Sequence, residues 1–280
     1  MKTFYTFLFS LLFTAVSFAS IPQIQKDALI DLYNSTEGKN WKKGWDLNSD
    51  VSSWYGVSIK NDNVVAVKLM FNNLQGELSK SIKNLQFLEV LDLSFNSIGG
   101  QLPEEITELT NLQALRLYSN KIEGTIPRSV KKLVNLKSLE LYNNDLTGVI
   151  PAELGDLTKL ENLTLSSNQL TGKLPNSIAQ IKSLKVLSLF DNNLIGNLPS
   201  NIGDLASLEE LILANNSFFG QLPVSIAKLD NLNTLVLGNN NFTGNYASLK
   251  AELPNIKTFE IDISNTKGQL ATFDEEVDDN

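Results

Sequence analysis

Apolar residues recur along this chain with a period of 24 residues from Val64 to Asp279. Written in rows of 24, the sequence gives nine rows without insertion or deletion, which open at Val64, Leu88, Leu112, Leu136, Leu160, Leu184, Leu208, Leu232 and Ile256. The fourth row, 136–159, has apolar residues at row positions 1, 4, 6, 11, 15, 19 and 22. Such a fixed period indicates a solenoid in which each repeat forms one coil.

Within a row, the spacing of apolar residues predicts the local structure. Leu139 and Leu141 flank Glu140, and this alternation is typical of a short strand with one buried face. Strands from successive rows, stacked in register, would form a parallel sheet along one side of the solenoid. Positions 19 and 22 follow a proline at position 16 in six rows, and they predict a short helical turn.

Two further positions carry residues that suit turns. Asparagine occupies position 9 in eight rows, from Asn72 to Asn240, and glycine occupies position 13 in all nine, from Gly76 to Gly268. We expect each buried asparagine to satisfy peptide groups of its own coil and of the next coil. We expect each glycine to allow a tight turn with positive φ.

The row 112–135, LQALRLYSNKIEGTIPRSVKKLVN, resembles the plant-type extracellular leucine-rich repeat, LxxLxLxxNxLxGxIPxxLxxLxx. That family includes receptor-kinase ectodomains and polygalacturonase-inhibiting proteins. The resemblance covers residues 64–279. It implies an α/β solenoid that winds as a right-handed superhelix, with a parallel sheet on the concave face and a ligand bound on that face.

Residues 20–63 are predicted to form an N-terminal cap. One face of a short helix would be apolar, and three tryptophans would seal the first coil; these residues are Ile24, Ala28, Leu29, Leu32, Trp41, Trp45 and Trp54. The segment 52–59, SSWYGVSI, is similar to the cap of the plant family. Ser52 and Ile59 stand where that family has a cysteine pair, which favours a bacterial relative.

Both ends of the chain differ from the repeats. Residues 1–19 have a positive start at Lys2, an apolar run and small residues before position 20, which predicts a cleaved signal peptide, with an uncleaved anchor as the alternative. Repeats 1–8 would span 64–255, although Lys250 occupies a normally apolar position. Residues 256–280 would form a degenerate ninth repeat that caps the array and ends in an acidic tail. We therefore expect a secreted or extracellular protein, periplasmic or surface-bound if bacterial.

Composition removes several functions. Cysteine and histidine are absent, so disulfides, thiolate nucleophiles, the usual zinc sites and the commonest general base are all excluded. The formal charge is −8, and no basic patch of the kind that nucleic acid requires is present. We predict no cofactor, no metal and no enzymatic activity. A carboxylate pair for glycoside hydrolysis remains the catalytic alternative, but the array has no insertion that would form a pocket.

The candidate ligand site lies at positions 7 and 8, just after each predicted strand. Apolar side chains that we predict to be exposed occupy these positions in several rows, namely Met70, Phe71, Phe95, Tyr118, Tyr142 and Phe190. Exposed aromatic patches are typical of contact sites. Ser166 and Ser167 interrupt the stripe. We place its centre at Tyr118 and Tyr142; alternatively, the rings only cover the sheet against flanking loops.

Charges of alternating sign occupy position 5 beside this stripe. Lys68, Asp92, Arg116 and Glu140 follow one another there, and position 2 repeats the alternation in Lys137, Glu161, Lys185 and Glu209. Neighbouring strands lie ~4.8 Å apart, so we expect these charges to form cross-strand ladders that neutralise one another. Arg116 and Glu140 are included in the candidate site.

These features favour a non-catalytic recognition protein. A protein partner is the first expectation, and a polysaccharide or a polysaccharide-degrading enzyme is the second. The alternative is an ice- or surface-binding solenoid, which needs a regular row of one small polar residue. Position 12 is irregular in this respect, since it reads Gln75, Gly99, Glu123, Thr147, Thr171, Ile195, Phe219, Thr243 and Lys267.

Overall fold

A computed structural model describes residues 21–244 and 246–261. Its main sheet is formed by the strands Val57–Lys60, Asn63–Lys68, Val90–Asp92, Ala114–Arg116, Ser138–Glu140, Asn162–Thr164, Val186–Ser188, Glu210–Ile212, Thr234–Val236 and Thr258–Glu260. The first two pair antiparallel, and the others follow in parallel in chain order. Paired residues are 24 positions apart, as in Leu139 with Leu163. This confirms the predicted leucine-rich-repeat solenoid.

The apolar positions of the repeat form one continuous core. In the fourth row, all seven predicted positions, from Leu136 to Leu157, are at most 3% exposed. The same positions in neighbouring coils belong to the same buried cluster. Each coil therefore buries its leucines against the coil before it and the coil after it.

Short 3₁₀ helices lie on the segment after row position 16, which is proline in six rows and Ser79 in the first, and they confirm the predicted helical turn. They span Lys80–Asn84, Glu104–Glu108, Arg128–Lys132, Ala152–Asp156, Asn176–Gln180, Ile202–Asp204 and Val224–Lys228. Two more, Gly38–Asn40 and Val51–Ser53, belong to the N-terminal cap.

A second set of short strands was not predicted from the sequence. They are Gln75–Glu77, Ser97–Gly99, Glu123–Gly124, Asp145–Leu146, Thr171–Gly172, Asn193–Gly196, Ser217–Gln221 and Asn241–Thr243. They pair in parallel with neighbouring coils, as in Thr171 with Asn193. Segments of two to five residues are too short to show a hydrophobic alternation, so only the stacking of coils reveals them.

The buried asparagines connect each coil to the one before it. The side-chain amide of Asn144 donates to the carbonyl oxygens of Leu117 and Leu141, both at 3.0 Å, and its Oδ1 accepts from the amide of Ile122 at 2.9 Å. Leu117 and Ile122 belong to the preceding coil, so the expected bonds to the next coil were assigned to the wrong side. A constant period is the same towards the preceding coil and towards the following coil. The sequence alone therefore could not show to which of the two the asparagine bonds.

The cap begins with helix α1, Gln23–Ser35. Ala28, Leu29 and Leu32 are buried as predicted, but Ile24 is 56% exposed, and its predicted place on the buried face was wrong. Gln25 is buried instead; its Oε1 accepts from the amide of Val64 at 2.8 Å, and its Nε2 donates to Asn63 at 2.7 Å. The start of the second strand needs a hydrogen-bond partner here, so a glutamine faces inward.

The three tryptophans of the cap seal the first coil, as predicted. Trp41, Trp45 and Trp54 are at most 6% exposed. Trp45 stacks on Trp54 with ring centroids 4.7 Å apart, and each indole N–H donates to a backbone carbonyl oxygen. These contacts close the end of the core without disulfides.

At the other end, helix α2, Tyr246–Glu252, replaces the 3₁₀ turn. Leu249 is buried and Lys250 is exposed, because the α-helical turn places the residue before Lys250 against the core. The predicted signal peptide, most of the ninth repeat and the acidic tail lie outside the described residues, so the domain boundaries stay predictions. No helix in 21–244 or 246–261 has the length and apolar character to cross a bilayer.

Candidate functional site

Four of the six side chains in the predicted stripe form one row of touching rings, which we call the aromatic ladder: Phe71, Phe95, Tyr118 and Tyr142. Successive ring centroids are 4.0, 5.0 and 4.3 Å apart. The first and last pairs are stacked with interplanar angles of 9° and 10°, and the middle pair meets edge to face at 85°. The rings follow the strand ends of four successive coils, whose spacing suits ring contact.

Exposure is uneven along the stripe. Phe71 is 54% exposed, Met70 40% and Phe95 37%, whereas Tyr118 and Tyr142 are half-buried by each other and by their surroundings. The prediction that every side chain of the stripe is exposed is therefore wrong for the two tyrosines. The freely accessible part of the ladder lies at its N-terminal end.

Phe190 lies apart from the ladder. It is 36% exposed, and it is two coils beyond Tyr142. Ser166 and Ser167 occupy the coil between them, and the hydroxyl of Ser166 is hydrogen-bonded to that of Ser188 at 2.7 Å. The predicted interruption of the stripe is thus present in the structure.

The predicted charge ladder at position 5 forms only in part. Nε of Arg116 lies 2.9 Å from Oε1 of Glu140, which also accepts from the Ser138 hydroxyl at 2.6 Å. Asp92 pairs in register with Lys68 and Arg116, but its carboxylate instead accepts from the hydroxyl of Ser94 at 2.6 Å. A short aspartate side chain reaches a hydroxyl two residues ahead more readily than a cation on the neighbouring strand. The prediction was wrong for Lys68 and Asp92.

Position 2 shows one direct contact of the predicted kind. Nζ of Lys185 lies 2.8 Å from Oε2 of Glu161. This hydrogen bond and the opposite charge lower the pKa of Glu161 and raise the pKa of Lys185. Within the described part of the chain, Lys137 and Glu209 make no ion pair within 4.0 Å, so the ladder reduces to a single pair. Exposed pairs of this type contribute little to stability, because water screens the two charges.

Burial changes the chemistry of one tyrosine in the ladder. It raises the pKa of the Tyr142 phenol to about 12, and the adjacent Tyr118 and the carboxylates of Glu140 and Asp92 act in the same direction. All of these disfavour a phenolate at this place. Tyr142 is therefore a neutral donor and acceptor at physiological pH.

Two cap residues that sequence reasoning missed lie close to the first coil, in which Phe71 begins the ladder. The amide of Lys43 donates to Oδ1 of Asn72 at 2.7 Å, so the backbone of Lys43 approaches the residue that follows Phe71. Nζ of Lys43 lies 4.2 Å from the centre of the Tyr55 ring, and Tyr55 is 40% exposed. Neither residue falls in a repeat row, so the periodic pattern carried no signal for them.

The surface contains shallow depressions near the N-terminal ends of the main-sheet strands, whereas the aromatic ladder follows their C-terminal ends. One of about 330 Å³ is lined by Glu89, Asn111, Gln113, Asn135, Lys137 and Lys159. A second, of about 280 Å³, shares Glu89 and Asn111 with it. Glu89 is the one carboxylate in either lining. Within the described residues, no group of three His, Cys, Asp or Glu side chains could hold a metal ion.

Comparison with known families assigns the repeats. The leucine-rich repeat region family matches residues 68–180, and the Leucine Rich Repeat family matches 183–205 and 207–229. Together these matches cover more than half of the chain. The chain belongs to the leucine-rich repeat proteins. No curated sequence matches this leucine-rich repeat protein.

Solved structures with similar coils include plant receptors. The ectodomain of the Arabidopsis receptor kinase HAESA, in complex with an IDA peptide hormone ligand, is 32% identical with a TM-score of 0.74 over 86% of this chain and 40% of that one. PEPR1 in complex with AtPEP1 is 32% identical with a TM-score of 0.72 over 79% and 32%. The leucine-rich repeat protein thus spans 32–40% of these chains.

A plant ice-binding protein shares the fold. It is 24% identical, with a TM-score of 0.70 over 86% of each chain. At this identity the likeness extends to the fold alone.

Proposed function

We propose that this leucine-rich repeat protein is an extracellular, non-catalytic recognition protein that binds a protein partner on the exposed face of its main sheet. The main observation in support of this proposal is the aromatic ladder, whose touching rings span four coils. Aromatic side chains are enriched among the few residues that supply most of the binding energy at protein interfaces. The similar receptor ectodomains, which are bound to peptides, support the same assignment.

The ring geometry favours a protein over a polysaccharide. In each stacked pair, one face of every ring is covered by its neighbour at 4.0 or 4.3 Å. A flat sugar that stacks on an aromatic residue needs a free ring face, and stacking within the ladder takes up one of the two faces of each ring, whereas apolar side chains of a protein can also pack against ring edges. The ladder therefore suits a polypeptide better.

A binding role also fits the acidic groups better than catalysis does. Each depression at the sheet edge contains Glu89 as its single carboxylate, whereas glycoside hydrolysis requires two carboxylates at the scissile bond. The chain also contains no histidine or cysteine that could replace the second group. We therefore assign no reaction to this surface.

The ice-binding alternative has weaker support. Position 12 lies on the outer short strands, and its exposed side chains include Glu123, Ile195 and Phe219 among the threonines. A regular lattice of one small polar group does not follow from this mixture. The shared fold with the plant ice-binding protein does not change that, since its identity is only 24%.

The test is affinity capture from the native extracellular medium, with residues 20–280 as bait and with a Tyr118→Ala/Tyr142→Ala variant beside it. We expect the variant to capture its protein partner at least ~10-fold less, while its Tm falls by only a few degrees because one stacked pair is lost. A matched control is Phe87→Ala/Val134→Ala, which removes two exposed side chains away from the ladder. Equal capture by wild type, by the tyrosine variant and by a Phe71→Ala/Phe95→Ala variant would exclude this face.

A further inference from the structure

The backbone has positive φ at position 8 of each of the eight coils in which the structure describes that position. The value is 55° at Phe71 and 54° at Phe95. In the six following coils, small polar residues with φ of 51–57° occupy the same place, namely Ser119, Asn143, Ser167, Asp191, Asn215 and Asn239. Asparagine and aspartate tolerate this conformation, whereas a bulky side chain is strained in it.

The polar residues at position 8 also make contacts that the phenylalanines give up. The side-chain amide of Asn239 donates to Oδ1 of Asn215 at 2.7 Å, and that of Asn143 donates to the hydroxyl of Ser119 at 3.1 Å. Two polar side chains at position 8 of neighbouring coils can thus hydrogen-bond to each other. The first two coils have phenylalanine there instead.

Ring contacts offset part of the stability that backbone strain and the missing polar contact cost at Phe71 and Phe95. The rings of Phe71 and Phe95 are 4.0 Å apart and nearly parallel. Strain at one such residue is comparable in size to the gain from one ring contact, so the contacts of Phe71 with Phe95 and of Phe95 with Tyr118 do no more than offset the strain at the two residues. Both rings also stay open to solvent, at 54% and 37%, so the core gains little from them. The two phenylalanines therefore give the fold no advantage over the polar pairs that the later coils carry here, and this points to a role at the surface.

We infer that Phe71 and Phe95 are the anchor of the binding face, held at a backbone position that the fold would otherwise give to asparagine or serine. This inference rests on the proposed function and moves the centre of the site from the tyrosines to the first two coils. Strained residues at a surface are typical of binding sites, where the surrounding structure holds them in place.

The surroundings of the pair indicate the chemistry of the partner. Met70 and Tyr55 extend the apolar surface, each 40% exposed. The backbone of Lys43 approaches Asn72, the residue after Phe71. The side chain of Lys68 is exposed, while its strand neighbour Asp92 bonds to Ser94. Neither lysine makes an ion pair within 4.0 Å among the described residues. Cations next to an apolar surface fit a protein segment in which an aromatic or aliphatic side chain lies beside a carboxylate.

The experiment uses a phage-displayed library of random peptides panned on residues 20–280. We expect the selected peptides to carry an aromatic or aliphatic residue within two positions of Asp or Glu. The decisive variant is Phe71→Asn/Phe95→Asn, which recreates the Asn–Asn contact seen between Asn215 and Asn239. It should bind the selected peptides at least ~10-fold more weakly, while its Tm rises by about 2–4 °C because the strain is relieved.

The combination of readouts separates the possible outcomes. A lower Tm for the variant would show that the rings serve the fold, and unchanged peptide affinity would show that they are not the anchor; either result overturns the inference. Phe190→Asn, at position 7 with no positive φ, is the control that should show no rise in Tm.

The proposed function can fail separately. If the peptides bind the Phe71→Asn/Phe95→Asn variant normally but not the Tyr118→Ala/Tyr142→Ala variant, the binding face stands and the anchor is wrong. If wild type selects no peptides and captures no protein, both proposals are wrong.

Discussion

The chemistry of single residues in this protein depends on the coil next to them. Asn144 contacts three carbonyl groups and one amide, and two of these four groups belong to the preceding coil. The role of the asparagine could be predicted from its recurrence. The sequence could not show that the asparagine bonds to the preceding coil, or that Gln25 is buried in helix α1 while Ile24 is exposed. Both depend on which neighbouring backbone groups lack a hydrogen-bond partner.

Tyr142 provides a test at this scale, because its pKa of about 12 lies above the ordinary value of 10.0. Between pH 10 and pH 12 the folded protein keeps a proton that the unfolded chain has released. The contribution that protonated Tyr142 makes to the free energy of unfolding is therefore complete below pH 10 and is lost as the pH rises to about 12. An ultraviolet phenolate titration of wild type minus Tyr142→Phe should show a step near pH 12.

Tyr142→Phe should also lose less thermal stability than wild type over that pH range. A difference titration centred near pH 10 would show that the phenol is not shielded by Tyr118 and the nearby carboxylates.

Elements are joined by backbone contacts that leave little room. Helix α1 ends beside the first coil, where the amide of Gln75 donates to the carbonyl oxygen of Thr36 at 3.1 Å. Gly76 follows with φ +80°, and a Cβ built there would overlap the carbonyl oxygen of Ser35. The sequence predicts a positive-φ glycine at this position. Only the structure shows that the helix end occupies the space above it.

Gly76→Ala should therefore lower the free energy of unfolding by about 2–4 kcal/mol, since strain in the backbone and a steric clash act together. Chemical denaturation would measure this. Gly44→Ala is the control; its Cβ would make only an ordinary contact, 3.6 Å from the Gly38 carbonyl oxygen, and φ there is not positive. Similar midpoints for the two variants would contradict the close approach.

The whole molecule is a stack in which each coil touches its neighbours. Main-sheet strands pair only with those one coil away, as Leu163 does with Leu139 and Leu187. Such an array should tolerate the loss of a complete unit, because the contacts on both sides of the gap are equivalent. A gap of half a unit would bring leucines opposite polar positions.

Deletion of residues 160–183 should thus give a folded protein with cooperative urea unfolding and a moderately lower midpoint. Deletion of residues 160–171 is the matched control, and we expect it to abolish cooperative unfolding. Circular dichroism would follow both. An unfolded product from the complete-coil deletion would show that the coils are not interchangeable.

The sequence by itself determined the period of 24, the buried positions, the strand and turn of each coil and the family, because apolar and turn-forming residues recur at fixed spacings along the chain. The tertiary structure decided which charges pair, that Asp92 bonds to Ser94, and how four rings touch. It also revealed the strain at Phe71 and Phe95, although their rows already differed from the others at position 8. Contacts between coils depend on side-chain reach and orientation in three dimensions, and a repeated sequence leaves these open.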